Sequence, residues 1–336
     1  MENCLNALNT GGVVIFPTDT VYGLLARQDI PVATQKIYAL KGRASDKPLV
    51  RMISSLDRDD ALLSTLPRRA WRVMHSLCPG PLTIVGEGTS SVRWANHKDL
   101  NELIRQSEGP LVCSSANLSE GKEARQLSDI PAPIREGVDA HYDGGLCEGG
   151  VASTVLRFNR NSFELLREGP LKESLIQYLW CYRLAFVCTG NTCRSPMAEA
   201  MARKLLCQKL SCKDLLDHGI HIESAGVHAA EASPASQQSV EVMKSMGLDV
   251  STHLSSNVSH FSLCPPDQVY GMTSSHVAIL NSMAIDAELL SKNGEDVADP
   301  FGGSLTRYQG CAEQIYNFIV ERVDEWISQN SLLDSK

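Results

Sequence analysis

A stretch of 13 residues, Leu184 to Pro196, limits the possible folds of this chain more than any other part of it. Leu184-Ala185-Phe186-Val187 is an unbroken apolar run, the signature of a strand buried on both faces. It passes at once into Cys188-Thr189-Gly190-Asn191-Thr192-Cys193-Arg194-Ser195 and then Pro196, where a helical pattern begins and runs from Met197 to Leu206. Proline is well tolerated in the first turn of a helix. A buried strand, a tight loop and a helix in that order open a doubly wound parallel sheet, and they put the loop at the sheet's carboxyl end, where such folds bind ligands.

The loop is the right size and composition to hold a phosphate. Cys188 and Arg194 bracket five residues. Inward-facing N–H groups of such a loop form an anion nest, and the helix behind it adds its positive end. Both put positive potential at the Cys188 sulfur, the field that a nucleophilic thiolate needs. Arg194 has the planar fork to grip two phosphoryl oxygens and to follow them into the transition state. Ser195 can donate to the sulfur as it leaves, and Gly190 is expected to permit the tight turn. Thr189, Asn191, Thr192 and Cys193 complete the expected phosphate-binding loop. The plain alternatives are a buried inert thiol at Cys188 and, at Asp299, a helix or turn cap.

Further segments follow in order: Ser224-Ala225-Gly226, Ser233-Pro234-Ala235, Met272-Thr273-Ser274-Ser275-His276 and Asp299-Pro300-Phe301-Gly302-Gly303. With the loop, they make residues 183–330 resemble the low-molecular-weight protein phosphatases. The resemblance implies Cys188 as nucleophile, Arg194 as phosphate clamp and Asp299 as general acid and then base, with Ser195 assisting and no metal. It also implies a second loop thiol, Cys193, able to pair with Cys188; simple loop packing is the other reading. In this family the fourth residue after the nucleophile is often bulky and apolar in tyrosine phosphatases. Here it is Thr192, and the loop resembles the branch that hydrolyses phosphoarginine. Phosphoarginine proteins are therefore the expected substrate, phosphotyrosine proteins the second choice, and arsenate reduction a third option.

The first half carries another series. Gly12–Phe16, Leu82–Val85, Leu111–Cys113 and Val151–Phe158 read as strands, and Ala33–Leu40 as a helix. Lys41 and Arg43, at that helix's end, either complement its dipole or converge with a later Arg and Ser/Asn clusters on a phosphate. The quoted order is Pro17-Thr18-Asp19-Thr20-Val21-Tyr22-Gly23, Lys41-Gly42-Arg43, Lys47-Pro48-Leu49, Pro79-Gly80-Pro81-Leu82-Thr83, Ser91-Val92-Arg93, Ser114-Ser115-Ala116-Asn117, Ser153-Thr154-Val155 and Leu166-Arg167-Glu168-Gly169. Residues 1–170 in this order resemble the YrdC-like threonylcarbamoyl-adenylate synthases. The resemblance implies a twisted mixed α/β domain with a concave cavity. It implies L-threonine, bicarbonate and ATP with Mg2+ as substrates, and pyrophosphate as co-product. It places Thr20 and Arg93 on threonine, and Lys41, Arg43, Ser115, Asn117, Ser153 and Arg167 on ATP. tRNA is an indirect partner, through the downstream transfer of the threonylcarbamoyl group, and double-stranded RNA binding comes with the family. Two features depart from its pattern: Arg51 interrupts the run after Leu49, and Trp94-Ala95 follow Arg93 where a proline is usual. A non-catalytic nucleotide- or RNA-binding module fused to the phosphatase is the alternative.

Composition sets outer bounds. Length 336 suits two domains, and a 43% hydrophobic content suits packed cores. A net charge of −8 argues against a broad nucleic-acid surface, though not against a local basic pocket. The 11 cysteines follow no framework, which reads as reduced thiols in the cytoplasm. The sequence shows no leader pattern and no membrane span is expected. The segment from Glu168 to Tyr182 is expected to be a helical connector.

Overall fold

A computed structural model describes residues 1–44, 47–58, 60–86, 90–119, 121–160, 162–262 and 265–332. The chain divides into two compact units, the first Met1–Leu179 and the second beginning at Trp180. Each has its own sheet, and among the described residues no strand is shared. No helix among the described residues is long and apolar enough to cross a membrane.

The first unit is built on nine strands: β1 (Val14–Phe16), β2 (Gly23–Arg27), β3 (Val50–Met52), β4 (Leu82–Val85), β5 (Ser91–Arg93), β6 (Leu111–Ser115), β7 (Ala140–His141), β8 (Thr154–Phe158) and β9 (Phe163–Arg167). They form one mixed sheet in the order β7-β1-β2-β6-β3-β5-β4-β8-β9. Strand side chains alternate between faces, and the two cores show it. Ile15, Leu24 and Ala26 pack with Ala33 and Ile37 of the helix Pro31–Lys41. Val14, Phe16 and Leu25 pack on the other face with Leu8, Leu100 and Leu103. β1 is fully buried and β2 is buried up to Arg27, so both read as apolar runs instead of an alternation.

The second unit has a parallel sheet of four strands, β10 (Tyr182–Cys188), β11 (Ile220–Gly226), β12 (Gln268–Gly271) and β13 (Glu288–Leu289), in the order β11-β10-β12-β13. All seven residues of β10 are buried. Leu184, Phe186 and Cys188 face a core shared with Met197, Met201, Ile315 and Trp326, while Ala185 and Val187 face Phe261 and Leu280. Helices thus cover both faces, and the chain is an α/β protein with a mixed-sheet unit followed by a doubly wound parallel one.

Three local expectations change. The helix after the loop starts at Arg194, two residues before Pro196, which therefore lies within its first turn. The run from Tyr308 to Ile327, which reads in the sequence as one long terminal helix, belongs to two helices, Leu305–Val320 and Val323–Leu332. The break falls where Arg322 turns inward: its Nε donates to Leu290 O at 2.8 Å and its Nη2 to Leu289 O at 2.8 Å, capping the end of β13. In the loop itself the left-handed residue is Asn191, at φ 54°, not Gly190. The joining segment holds a helix, Glu173–Trp180.

Candidate active sites

The phosphate-sized loop is shaped from outside. Five of the six carbonyls from Val187 to Thr192, all but that of Gly190, are taken by neighbouring segments. Val187 O accepts from Met272 N at 2.9 Å, Cys188 O from Val227 N at 3.0 Å and Thr189 O from His228 N at 2.9 Å. Asn191 O meets His253 Nε2 at 2.8 Å, and Thr192 O accepts from Ser236 N at 2.8 Å. In a trans peptide the C=O and the next N–H point in opposite directions, so carbonyls held outward turn the following amides inward. Asn191 N donates to Cys188 Sγ at 3.3 Å. Gly226 is needed where β11 presses on this loop, since a Cβ there would lie 2.5 Å from Thr189 O.

Cys188, at the carboxyl end of β10, lies 3.0 Å from Ser195 Oγ. Asn191 Nδ2 donates to Ser195 Oγ and to Ser224 Oγ, each at 2.9 Å, and its Oδ1 accepts from Ser256 N at 2.9 Å. These bonds hold the left-handed turn, a conformation that asparagine tolerates better than most residues. Arg194 Nη2 donates to Asp299 Oδ2 at 2.8 Å. The arginine side chain is 5% exposed and the aspartate 52%, so Asp299 stands at the mouth and Arg194 on the floor. Asp299 Oδ1 accepts from Phe301 N at 3.2 Å, and the Phe301 ring is exposed beside it. Thr192 Oγ1 is 3.7 Å from Cys193 Sγ, and Cys193 also meets Tyr308 Oη at 3.3 Å and Ser236 Oγ at 3.4 Å. Both loop cysteines are free thiols.

His276, not among the expected site residues, bridges Thr189 Oγ1 at 2.9 Å and Thr273 Oγ1 at 2.7 Å. Burial first, and then the Arg194 guanidinium, push it down to about 4, so at neutral pH it is an uncharged bridge. Its segment appears among the sequence motifs and was legible there. His253 carries no motif and was not.

In the first unit, Arg43, Arg93, Ser115, Ser153 and Arg167 line one cavity of about 220 Å³, together with Thr18, Thr83 and Ser114. Arg167 is clamped on Ser153: Nε and Nη2 reach its carbonyl at 3.0 and 2.8 Å. Burial, and behind it the nearby charges of Arg93 and Arg43 against that of Glu123, hold Arg167 below its ordinary range. Arg93 Nη2 donates to Asp19 Oδ1 at 2.5 Å and to Thr20 Oγ1 at 2.8 Å, which ties the three into one wall. Thr20 itself is fully buried and lines a second cavity, of about 610 Å³, with Asp19, His97 and Cys147.

Lys41 and Asn117 stand behind the first cavity. The Lys41 ammonium donates to Ser115 O at 2.5 Å, Asn117 O at 2.6 Å and Asn117 Oδ1 at 3.0 Å. Burial and then the Arg43 charge push it down to about 8. Arg43 Nη1 reaches Ser114 Oγ at 3.3 Å, while its buried Nε has no partner among the described residues. Arg51 is turned to Asp60 at 2.5 Å, and the Trp94 carbonyl accepts from Gly80 N at 2.8 Å. Thr18, Thr83 and Ser114 were in the quoted motifs without a role; only the fold sets them on the cavity.

Two family models match. The Sua5/YciO/YrdC model, described as telomere recombination, covers residues 6–169, and the low molecular weight phosphotyrosine protein phosphatase model covers residues 183–331. The threonylcarbamoyl-AMP synthase of Pyrococcus abyssi is 33% identical over 49% of this chain and 53% of its own length. That of Bacillus subtilis is 33% identical over 51% of this chain and 53% of its own. The protein-arginine-phosphatase of Geobacillus stearothermophilus is 36% identical over 41% of this chain and 91% of its own. The chain spans about half the length of the two synthases and nearly all of the phosphatase. The chain belongs to the low-molecular-weight protein phosphatases through its second half, and its first half matches the Sua5/YciO/YrdC model.

Proposed function

We propose that the second unit hydrolyses phosphorylated proteins through a phosphocysteine, with phosphoarginine as the preferred substrate. The carrying observation is the ring of outward-held carbonyls around Cys188, with Ser195 on its sulfur and Asp299 held at the mouth by Arg194. Cys188 Sγ attacks phosphorus, and the bond to the leaving nitrogen or oxygen breaks. Asp299, in its acid form, delivers the proton to the leaving group. Asp299 then takes a proton from water as that water attacks the phosphocysteine. Phosphate is released, and the thiolate leaves onto the Ser195 hydroxyl and the loop amides. Thr192 supports the phosphoarginine choice, because a small hydroxyl leaves room for a guanidino group where a bulky aliphatic side chain would pack a phenyl ring. The relative named for arginine phosphatase activity supports it too. Turnover on matched phosphoarginine and phosphotyrosine peptides tests this. A phosphoarginine preference that Thr192→Ile reverses is expected; wild-type turnover that favours phosphotyrosine overturns it.

For the first unit the proposal is synthesis of threonylcarbamoyl-adenylate. The amine of L-threonine and bicarbonate give a carbamate and water. A carbamate oxygen attacks the α-phosphorus of ATP, and pyrophosphate leaves; Mg2+ enters with the triphosphate as part of the substrate. Convergence of Arg43, Arg93 and Arg167 on one cavity supports this reading, since departing pyrophosphate needs that concentration of positive charge. The product would feed tRNA threonylcarbamoylation through a separate transferase. Lys41 favours a second reading, a nucleotide-binding module without turnover, because its ammonium is spent on protein carbonyls. Pyrophosphate release that requires both threonine and bicarbonate, and is lost in Arg43→Ala, fits synthesis. ATP binding without release fits the module.

A further inference from the structure

The helix that begins at Arg194 ends in a backbone motif that stacks two thiols. Its last turn closes on Ser211, left-handed at φ 53°. Cys212 N donates to Cys207 O at 3.0 Å, and Ser211 N donates to Gln208 O at 3.3 Å. These are the paired six-to-one and five-to-two bonds of a Schellman motif, which brings the side chains of its outer two positions together. Those positions usually hold an apolar pair. Here they are Cys207 and Cys212, whose residues are joined by that six-to-one bond, and the Cys207 thiol donates to Lys213 O at 3.9 Å. Both are free thiols and only partly buried. Two residues joined by a backbone hydrogen bond have Cα atoms near the roughly 4.4–6.8 Å that a disulfide bridges. Cys207 also lines a surface cavity of about 310 Å³, with Arg203, Lys204 and His253 opposite Glu199 and Asp249. A small molecule has a way to the Cys207 sulfur, and Cys212 is itself partly exposed.

We propose that Cys207 and Cys212 form a reversible dithiol–disulfide site, separate from the thiols of the phosphate loop and oxidised by low-molecular-weight disulfides. One thiol, as its thiolate, attacks the small disulfide; the S–S bond breaks, and one small thiol leaves with a proton. The second protein thiol then loses its proton and attacks the mixed disulfide, releasing the second small thiol. The protein pair is oxidised by two electrons and the small disulfide is reduced by two. Burial, and next the neighbouring Cys212 thiol, push the Cys207 thiol up, which suits Cys207 to the second step.

The test uses the whole protein, incubated with glutathione disulfide under native conditions, alkylated, digested with trypsin and mapped by mass. Cleavage at Lys204, Lys209 and Lys213 puts the two cysteines on separate peptides, Leu205–Lys209 and Leu210–Lys213. The expected result is one cross-linked species, two hydrogens lighter than the sum of its peptides, that dithiothreitol splits. In Cys207→Ser the species disappears and glutathione remains on Cys212. Recovery of the two peptides alkylated, or each carrying its own glutathione, overturns the proposal. Phosphatase turnover of Cys207→Ser is expected to equal that of the wild type, since neither thiol touches the loop.

Discussion

At the residue scale the proposed phosphatase rests on Asp299 and its neighbours. If Asp299 supplies and then removes the proton, Asp299→Asn lowers kcat by a factor of about 100 or more on a substrate with a poor leaving group. The loss shrinks when the leaving group needs no proton. Steady-state kinetics on substrates of graded leaving-group basicity checks this; a uniform small loss would remove the acid role. His276 gives a pH prediction. Its native value is pushed from 6.5 to about 4, so between those limits the unfolded chain binds a proton that the native chain refuses. Stability therefore falls as pH drops through that window, and it is unaffected by this group above about 6.5. In His276→Gln the fall between pH 6.5 and 4 becomes shallower, as measured by denaturant unfolding at each pH. Residue types and spacing singled out Cys188, Arg194 and Ser195, the resemblance singled out Asp299, and the fold brings Ser195 to Cys188 and Asp299 to Arg194. Asn191 was read as one of several loop members, while the turn was assigned to glycine. Its side chain makes three bonds to Ser195, Ser224 and Ser256, and only the fold brings those together.

At the element scale, the apolar run of β10 was readable because burial on both faces leaves no polar position to blur it. Its true ends, Tyr182 and Cys188, were not, since the outer residues owe their burial to partners distant in sequence. The divided terminal helix shows the same limit. Nothing in helical propensity stops a run from Tyr308 to Ile327; the stop comes from Arg322, which serves the carbonyls of Leu289 and Leu290 and lies with its guanidinium 4.5 Å from the Tyr270 ring centre. Arg322→Leu leaves those buried carbonyls without their donor, and should lower the stability of the unit by about 2–3 kcal/mol. Chemical denaturation of the full chain, followed by the fluorescence of Trp326 against Trp326→Phe, isolates that transition. An unchanged midpoint would show that the arginine contributes nothing there.

At the scale of the whole molecule, separate sheets and cores predict separable chemistry. Arg43→Ala is expected to remove threonine-dependent pyrophosphate release and leave phosphatase turnover untouched. The order of motifs along the chain revealed the two halves. It did not reveal that Lys41 and Asn117 stand behind the cavity wall while Thr18 and Thr83 line it, because facing direction is set by strand register. The most direct test of the phosphatase mechanism is a rapid quench of the wild-type protein with a phosphorylated substrate labelled in the phosphoryl group, followed by peptide mapping. The predicted result is label on the peptide containing Cys188, formed and discharged at the rate of turnover and absent in an inactive Cys188→Ala. Turnover by Cys188→Ala, or wild-type turnover with no labelled cysteine, would contradict it.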